Sequence, residues 1–162
     1  SRSLIKILSV CCAFLLTTVF SCKQSTKKPS LNKEQITNDV LKMFDNYHNA
    51  IKANGLVAEF EYLDKSSDFF WVPPGYSSAL SYDSVKSILI QNSKIISGIE
   101  FTWDTLQVFP LSQTIANYSG IVNGLMTDST ALKSEFKILE SGTLIKREDG
   151  WKLLNGQSRN LP

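Results

Sequence analysis

His48 is the one histidine of this sequence, and the three cysteines, Cys11, Cys12 and Cys22, all fall within its first 22 residues. Acid–base or nucleophilic chemistry further along the chain must therefore draw on His48, on carboxyl groups or on hydroxyls. A zinc site would need several His, Cys or carboxylate ligands converging on one point, so neither a metal nor another cofactor is expected. His48 lies one residue off an apolar stripe. Its ring can reach an interior as an acid–base group or ligand contact, or serve a structural role.

The other candidates are neutral. Alternation puts Phe70 and Val72 on one face of a strand, Asn117 and Ser119 on one face of a second, and Asn155 and Gln157 on one face of a third. Trp71, Trp103, Tyr118, Phe136 and Trp151 surround these positions in sequence. A few amides and hydroxyls among aromatic rings suit a pocket for a small apolar or mixed ligand. Equally, buried amides can satisfy one another. Trp71 and Trp151 are expected in the core. The expected pocket comprises His48, Phe70, Val72, Trp103, Asn117, Tyr118, Asn155 and Gln157.

The elements that position these residues follow from periodicity. Ile36, Val40, Met43, Phe44, Tyr47 and Ile51 recur at three- and four-residue spacing, predicting a helix over 34–52 with Asn32 as its cap and Gln35 completing a capping box. Asn54-Gly55 ends it. A second helix is expected over 56–63 and a third over 82–96, capped by Ser81 or Asp83. Between them, 68–72 reads as a strand stopped by Pro73-Pro74-Gly75. After Gly98 the period becomes two. Strands are expected over 100–109, with Phe101, Trp103, Thr105, Gln107 and Phe109 on one face, then over 114–126, 133–147 and 151–157. A bulge is expected at Ser141-Gly142, and Glu148-Asp149-Gly150 is a hairpin turn. Helices first and an antiparallel meander afterwards make an α+β pattern. A strongly curved sheet wrapped around three N-terminal helices would form a cone with an internal cavity.

Composition limits the function classes. Hydrophobic content of 43% with 20% charged residues is globular. Seventeen basic residues against 15 acidic ones give +2, and no basic cluster is long enough for a nucleic-acid face. Arg2 and Lys6 flank an apolar run, Ile7 to Phe20, which is shorter than the roughly 20 residues that span a bilayer and reads as an export signal. Its end, Val19-Phe20-Ser21-Cys22, resembles the lipobox of bacterial lipoproteins, with Val19 in place of the usual Leu and a bulky Phe20. That resemblance implies a signal peptide over 1–21, acylation of Cys22 and a polar tether over 22–33, on an exported protein anchored at the periplasmic side or cell surface. The remaining chain carries 15 basic and 15 acidic residues.

The domain over 34–162 carries a second resemblance. Tyr47–Gly55 followed by Leu63-Asp64-Lys65-Ser66-Ser67-Asp68-Phe69-Phe70-Trp71-Val72-Pro73-Pro74-Gly75, and the closing Gly142–Leu154 with its Glu148-Asp149-Gly150-Trp151-Lys152 turn, resemble nuclear transport factor two-like, SnoaL-like domains. The resemblance implies the cystatin-like cone fold, and its activities range from isomerases to ligand-binding subunits. In isomerase-like members a carboxylate at the end of the first strand is the general base. That position falls on Val72 here, the helix position on His48 and the later-strand position near Glu140 or Ser141. Val cannot take a proton. The residues of the cyclase branch match Asn155 and Gln157, which do not titrate usefully. The expectation is thus an anchored lipoprotein that binds a small ligand or a protein partner without catalysis. The alternatives are an isomerase, lyase or hydrolase using His48, and a homodimeric module working through its sheet.

Overall fold

The first helix, α1 (Lys33–Asn54), begins where Asn32 accepts a hydrogen bond from the Gln35 amide at 3.0 Å. The Gln35 side chain turns outward to Asp39, at 2.7 Å, so the cap is made without the reciprocal half of the box. One stripe, Ile36, Val40, Met43, Phe44, Tyr47 and Ile51, is buried. Gly55, at φ 78°, ends the helix in a conformation few other residues adopt. A computed structural model describes residues 30–162; the expected signal, Cys22 and residues 23–29 of the expected tether lie outside the described residues. Among the described residues no helix is long and apolar enough to cross a membrane.

The second expected helix is a short 3-10 turn, η1 (Leu56–Glu61), and the strand that follows, β1 (Phe70–Val72), has three residues. Helix α2 (Tyr82–Asn92) is capped by Ser81 and stops four residues before its predicted end. Lys94 and Ile95 donate to Gln91 and Asn92 in a tightening turn, and Ile96 already opens β2 (Ile96–Pro110). Three further strands follow, β3 (Ile115–Asp128), β4 (Lys133–Arg147) and β5 (Gly150–Asn160).

These strands form one curved sheet in the order β1-β5-β4-β3-β2, and the α+β cone is as expected. Its antiparallel character is only partial. The four long strands are hairpin-connected neighbours, but β1 runs parallel to β5, with Phe70 opposite Asn155 and Val72 opposite Gln157. A strand that reaches the far edge through α2 is not bound to a hairpin partner, so its direction is free to differ. Against the concave face pack Phe44, Ile51 and Val40 from α1 with Tyr118, Leu144 and Leu153 from the sheet.

Bulges decide which side chains face that core. Extra residues stand at Ser97 and Asp104 on β2 and at Leu154 on β5, where Thr143 pairs with Asn155 but Leu144 pairs with Leu153. The expected bulge at Ser141-Gly142 is absent, since both residues pair in continuous register; it lies on the neighbouring strand instead. One inserted residue exchanges the two faces of everything beyond it. Phe101 and Trp103 therefore face inward before Asp104, and Leu106 and Val108 after it. Thr105, Gln107 and Phe109 do not share the Trp103 face, and Phe109 is half exposed.

Glycines on the concave face make room for aromatic rings. A Cβ at Gly120 would sit 2.8 Å from the Trp103 ring and press on the Thr105 carbonyl oxygen; one at Gly156 would lie 2.6 Å from Trp71. Gly120→Ala is expected to cost about 1–3 kcal/mol, the usual range for overpacking, because the obstruction includes backbone. Urea unfolding with an unchanged slope and a lowered midpoint would show it.

Candidate functional site

The mouth of the cone encloses a cavity of about 190 Å³. Its walls are largely apolar: Trp71, Pro73 and Pro74 from the end of β1, Val85, Ile88, Leu89 and Asn92 from one side of α2, and Phe101, Val122, Ile138 and Leu153 from the sheet. Larger depressions on the surface are open grooves. The volume is slightly above that of an apolar cavity that holds one benzene, so the space suits a single-ring molecule.

Two carboxyl groups open into this space. Glu59, on η1, shares the inward side with Leu56 three residues earlier. Glu140 follows Phe136 and Ile138 at alternate positions of β4. Each is half-buried by its exposed surface yet closely surrounded by protein, and burial pushes each up to about 7 from an ordinary 4.5. Each also has a phenol partner. The Tyr118 hydroxyl donates to Glu140 Oε1 at 2.6 Å, and the Tyr47 phenol interacts with Glu59; both contacts favour the carboxylate but do not outweigh burial. The charge of Glu140 raises Glu59 further, so the protonation of one carboxyl bears on that of the other. The two phenols are held well above their usual range by burial and by the same carboxyls.

His48 does line the cavity. Its ring stacks on Trp103 at 5.5 Å and lies near Tyr47 and Phe101 at 5.5 and 5.8 Å. Burial lowers it to about 4, against a weaker opposing pull from Asp45. At neutral pH the imidazole is therefore uncharged and a weak base, less suited than the carboxyl pair to move protons. Trp71 reaches the cavity as well, its indole N–H donating to Ser158 Oγ at 3.2 Å, whereas Trp151 is in the core as expected.

The remaining residues of the sequence-based pocket are divided. Trp103 backs His48, and Tyr118 reaches the site through its hydroxyl. Trp103 and Phe136 are seated over Gly120 and Gly124, and neither lines the cavity; Phe136 borders a separate open groove. Phe70, Val72, Asn117 and Gln157 instead line an open depression with Ser141 and Thr143, and Asn155 pairs with Thr143 and Phe70 in the same cross-strand row. The bulge at Leu154 is the reason. It turns Gly156 and Ser158 inward and sends Asn155 and Gln157 to the opposite face. The Thr143 hydroxyl donates to Asn117 Oδ1 at 3.0 Å, so that oxygen is satisfied locally.

Glu59 and Tyr47 had no place in the sequence-based pocket, and Glu140 entered only as a resemblance position. Signals for them exist: Glu59 lies three residues after Leu56, and Glu140 sits in the inward alternation of Phe136, Ile138 and Leu144. The segment carrying Glu59 is fixed from behind. Arg147 donates two hydrogen bonds to Asp64, at 2.8 and 3.0 Å, and Asp64 is only 4% exposed. Leu153 pairs with the same segment through Tyr62 and Asp64. Among the described residues no group of three or more His, Cys, Asp or Glu is placed to hold a metal ion.

No protein-family model matches the chain, and no curated protein matches it by sequence. Solved structures do. A ketosteroid isomerase-like protein from Erwinia carotovora atroseptica SCRI1043 superposes with a TM-score of 0.62 at 16% identity, covering 82% of this chain and 99% of that one. A nuclear transport factor 2 (NTF2-like) superfamily protein from Salmonella enterica serovar Typhimurium LT2 gives 0.63 at 10% identity, covering 80% and 93%. At such identities the likeness concerns architecture, and with the cone, its sheet order and its enclosed cavity it establishes that residues 31–162 have the nuclear transport factor 2-like fold.

Proposed function

We propose that the cone cavity is a small-molecule site that moves protons, as an isomerase or lyase does. The carrying observation is the pair Glu59 and Glu140, two half-buried carboxyls with phenol partners that open into one largely apolar space. With both pushed up to about 7, an ionised member accepts a proton from a carbon acid while a protonated member donates to the oxygen where charge develops. A general base at Val72 is not needed for this. The fold likeness to a ketosteroid isomerase-like protein supports the reading by analogy.

The test is deuterium incorporation next to the carbonyl of single-ring ketones, with and without an amine substituent, followed by NMR in D₂O. Accelerated exchange with a pH limb near 7 is expected. Saturable binding without exchange across the panel would return the domain to a binding role without catalysis.

The site of action is proposed as the envelope membrane, on the sequence Ser21-Cys22 and the polar segment after it. Cys22→Ser is expected to move the protein from the membrane fraction to the soluble one, because acyl chains supply the anchoring. Unchanged membrane association would refute lipidation at Cys22.

A further inference from the structure

The charge lining the cavity is one-sided. No Lys or Arg reaches it among the described residues, and its formal charges are those of Glu59 and Glu140. Other titratable groups that face or act on the pair are Tyr47 and His48 from α1, with Asp45 acting on His48, and the Tyr118 hydroxyl from β3. Neither α2, β1 nor β5 brings a titratable group to the space. An ionised carboxyl has about four acceptor positions. Tyr118 occupies one on Glu140, so further positions on each group are free to receive a ligand's N–H. Tyr47, Trp71 and Phe101 also line the space, and aromatic rings of this kind attract a cation through their π faces but not an anion.

We infer that the ligand of this cavity is a single-ring organic cation, an ammonium group on an aromatic or alicyclic ring, held between Glu59 and Glu140 and faced by the aromatic walls. The inference rests on the reading above that the cavity takes a small molecule. It adds that the substrate carries a positive charge, opposite in sign to the two carboxyls that line the space. The cation stabilises the ionised carboxyl by direct charge pairing, and the ring fills the apolar remainder. Burial, which raises both carboxyls, is the cost such a ligand offsets, so binding should release protons.

Benzylamine, benzyl alcohol and benzoate have nearly the same shape and differ in charge. Titrating each into the full chain by calorimetry at pH 5.5 and 8.0 separates the possibilities. Benzylamine stays protonated at both pH values, and its affinity is expected to rise at least tenfold between them as the pair ionises. Benzyl alcohol should gain nothing, and benzoate should weaken. In Glu59→Gln/Glu140→Gln the rise for benzylamine should disappear. The wild-type comparison stands even if that variant folds poorly. If benzyl alcohol binds as tightly as benzylamine at pH 8.0, the cation preference is wrong while the small-molecule site survives. If none of the three binds, both readings fail. A rise that persists in the double variant places the amine elsewhere and also overturns the inference.

Discussion

Replacing Glu140 by Gln is expected to reduce proton-transfer turnover by about 10²–10⁴-fold, the usual contribution of a positioned acid or base. Gln has nearly the same shape and keeps a carbonyl oxygen to accept from the Tyr118 hydroxyl, which reaches Glu140 at 2.6 Å. What it loses is the proton. Glu59→Gln should act alike from the other wall of the cavity, and the double variant should be little worse than the poorer single one, because groups that act as a unit do not add. The pH profile gives a sharper readout. The charge of Glu140 helps to raise Glu59 to about 7, so in Glu140→Gln the residual activity should show its limb at lower pH than the wild type. Exchange rates followed by NMR across pH 5–9 would measure both effects. A Glu140→Gln protein within threefold of wild type would remove the carboxyl pair from the mechanism.

The same pair should set how stability responds to pH, with a sign that mutation reverses. Glu59 and Glu140 hold their protons in the folded chain up to about 7, whereas ordinary glutamates lose them near 4.5. Between these values the folded state binds more protons than the unfolded one, so each carboxyl lowers stability as pH rises. The ceiling is about 1.4 kcal/mol per pH unit per group. His48 opposes them. It is neutral when folded down to about 4 but takes a proton at 6.5 when unfolded, so its contribution rises with pH between those values. Two falling contributions against one rising one leave a net fall of about 1 kcal/mol per unit from pH 4.5 to 6.5, and a steeper fall from there to 7. Glu59→Gln/Glu140→Gln removes both falling contributions. Its stability should then climb from pH 4 to 6.5 and level off. Asp64, held low first by its hydrogen bonds from Arg147, acts only in more acid solution, where its contribution is lost as pH falls. Urea midpoints at pH 5, 6 and 7 should fall for the wild type and rise for the double variant if the cavity titrates this way; parallel profiles would show that burial of the pair has no energetic consequence.

The two outcomes bear on the cavity from different sides. Turnover reports whether the carboxyls touch a reacting molecule, whereas the stability profile needs no ligand. A protein that shows the reversal without turnover would still have a pre-built acidic cavity, and the benzylamine comparison would then say what the cavity holds.

The amino-acid sequence was enough for the helix with its buried stripe and its Asn32 cap, the change of period after Gly98, the closing Glu148-Asp149 hairpin, and thus the α+β cone. These are short-range patterns: a face repeated every three or four residues, or every second one, is written in consecutive side chains. It also marked His48 and Tyr118 as site residues, both from strongly periodic elements. Asn155 and Gln157 were misplaced because one inserted residue at Leu154 exchanged the faces of β5, and Phe109 was misplaced by another at Asp104. A bulge depends on how two strands pair, which periodicity in one strand does not reveal. The tertiary structure alone brought Glu59 from a 3-10 turn and Glu140 from β4, 81 residues apart in number, to the lining of one cavity. Their shared burial, and with it their protonation near neutral pH, is a property of that enclosure, because desolvation acts on the space around a carboxyl and not on its neighbours in the chain.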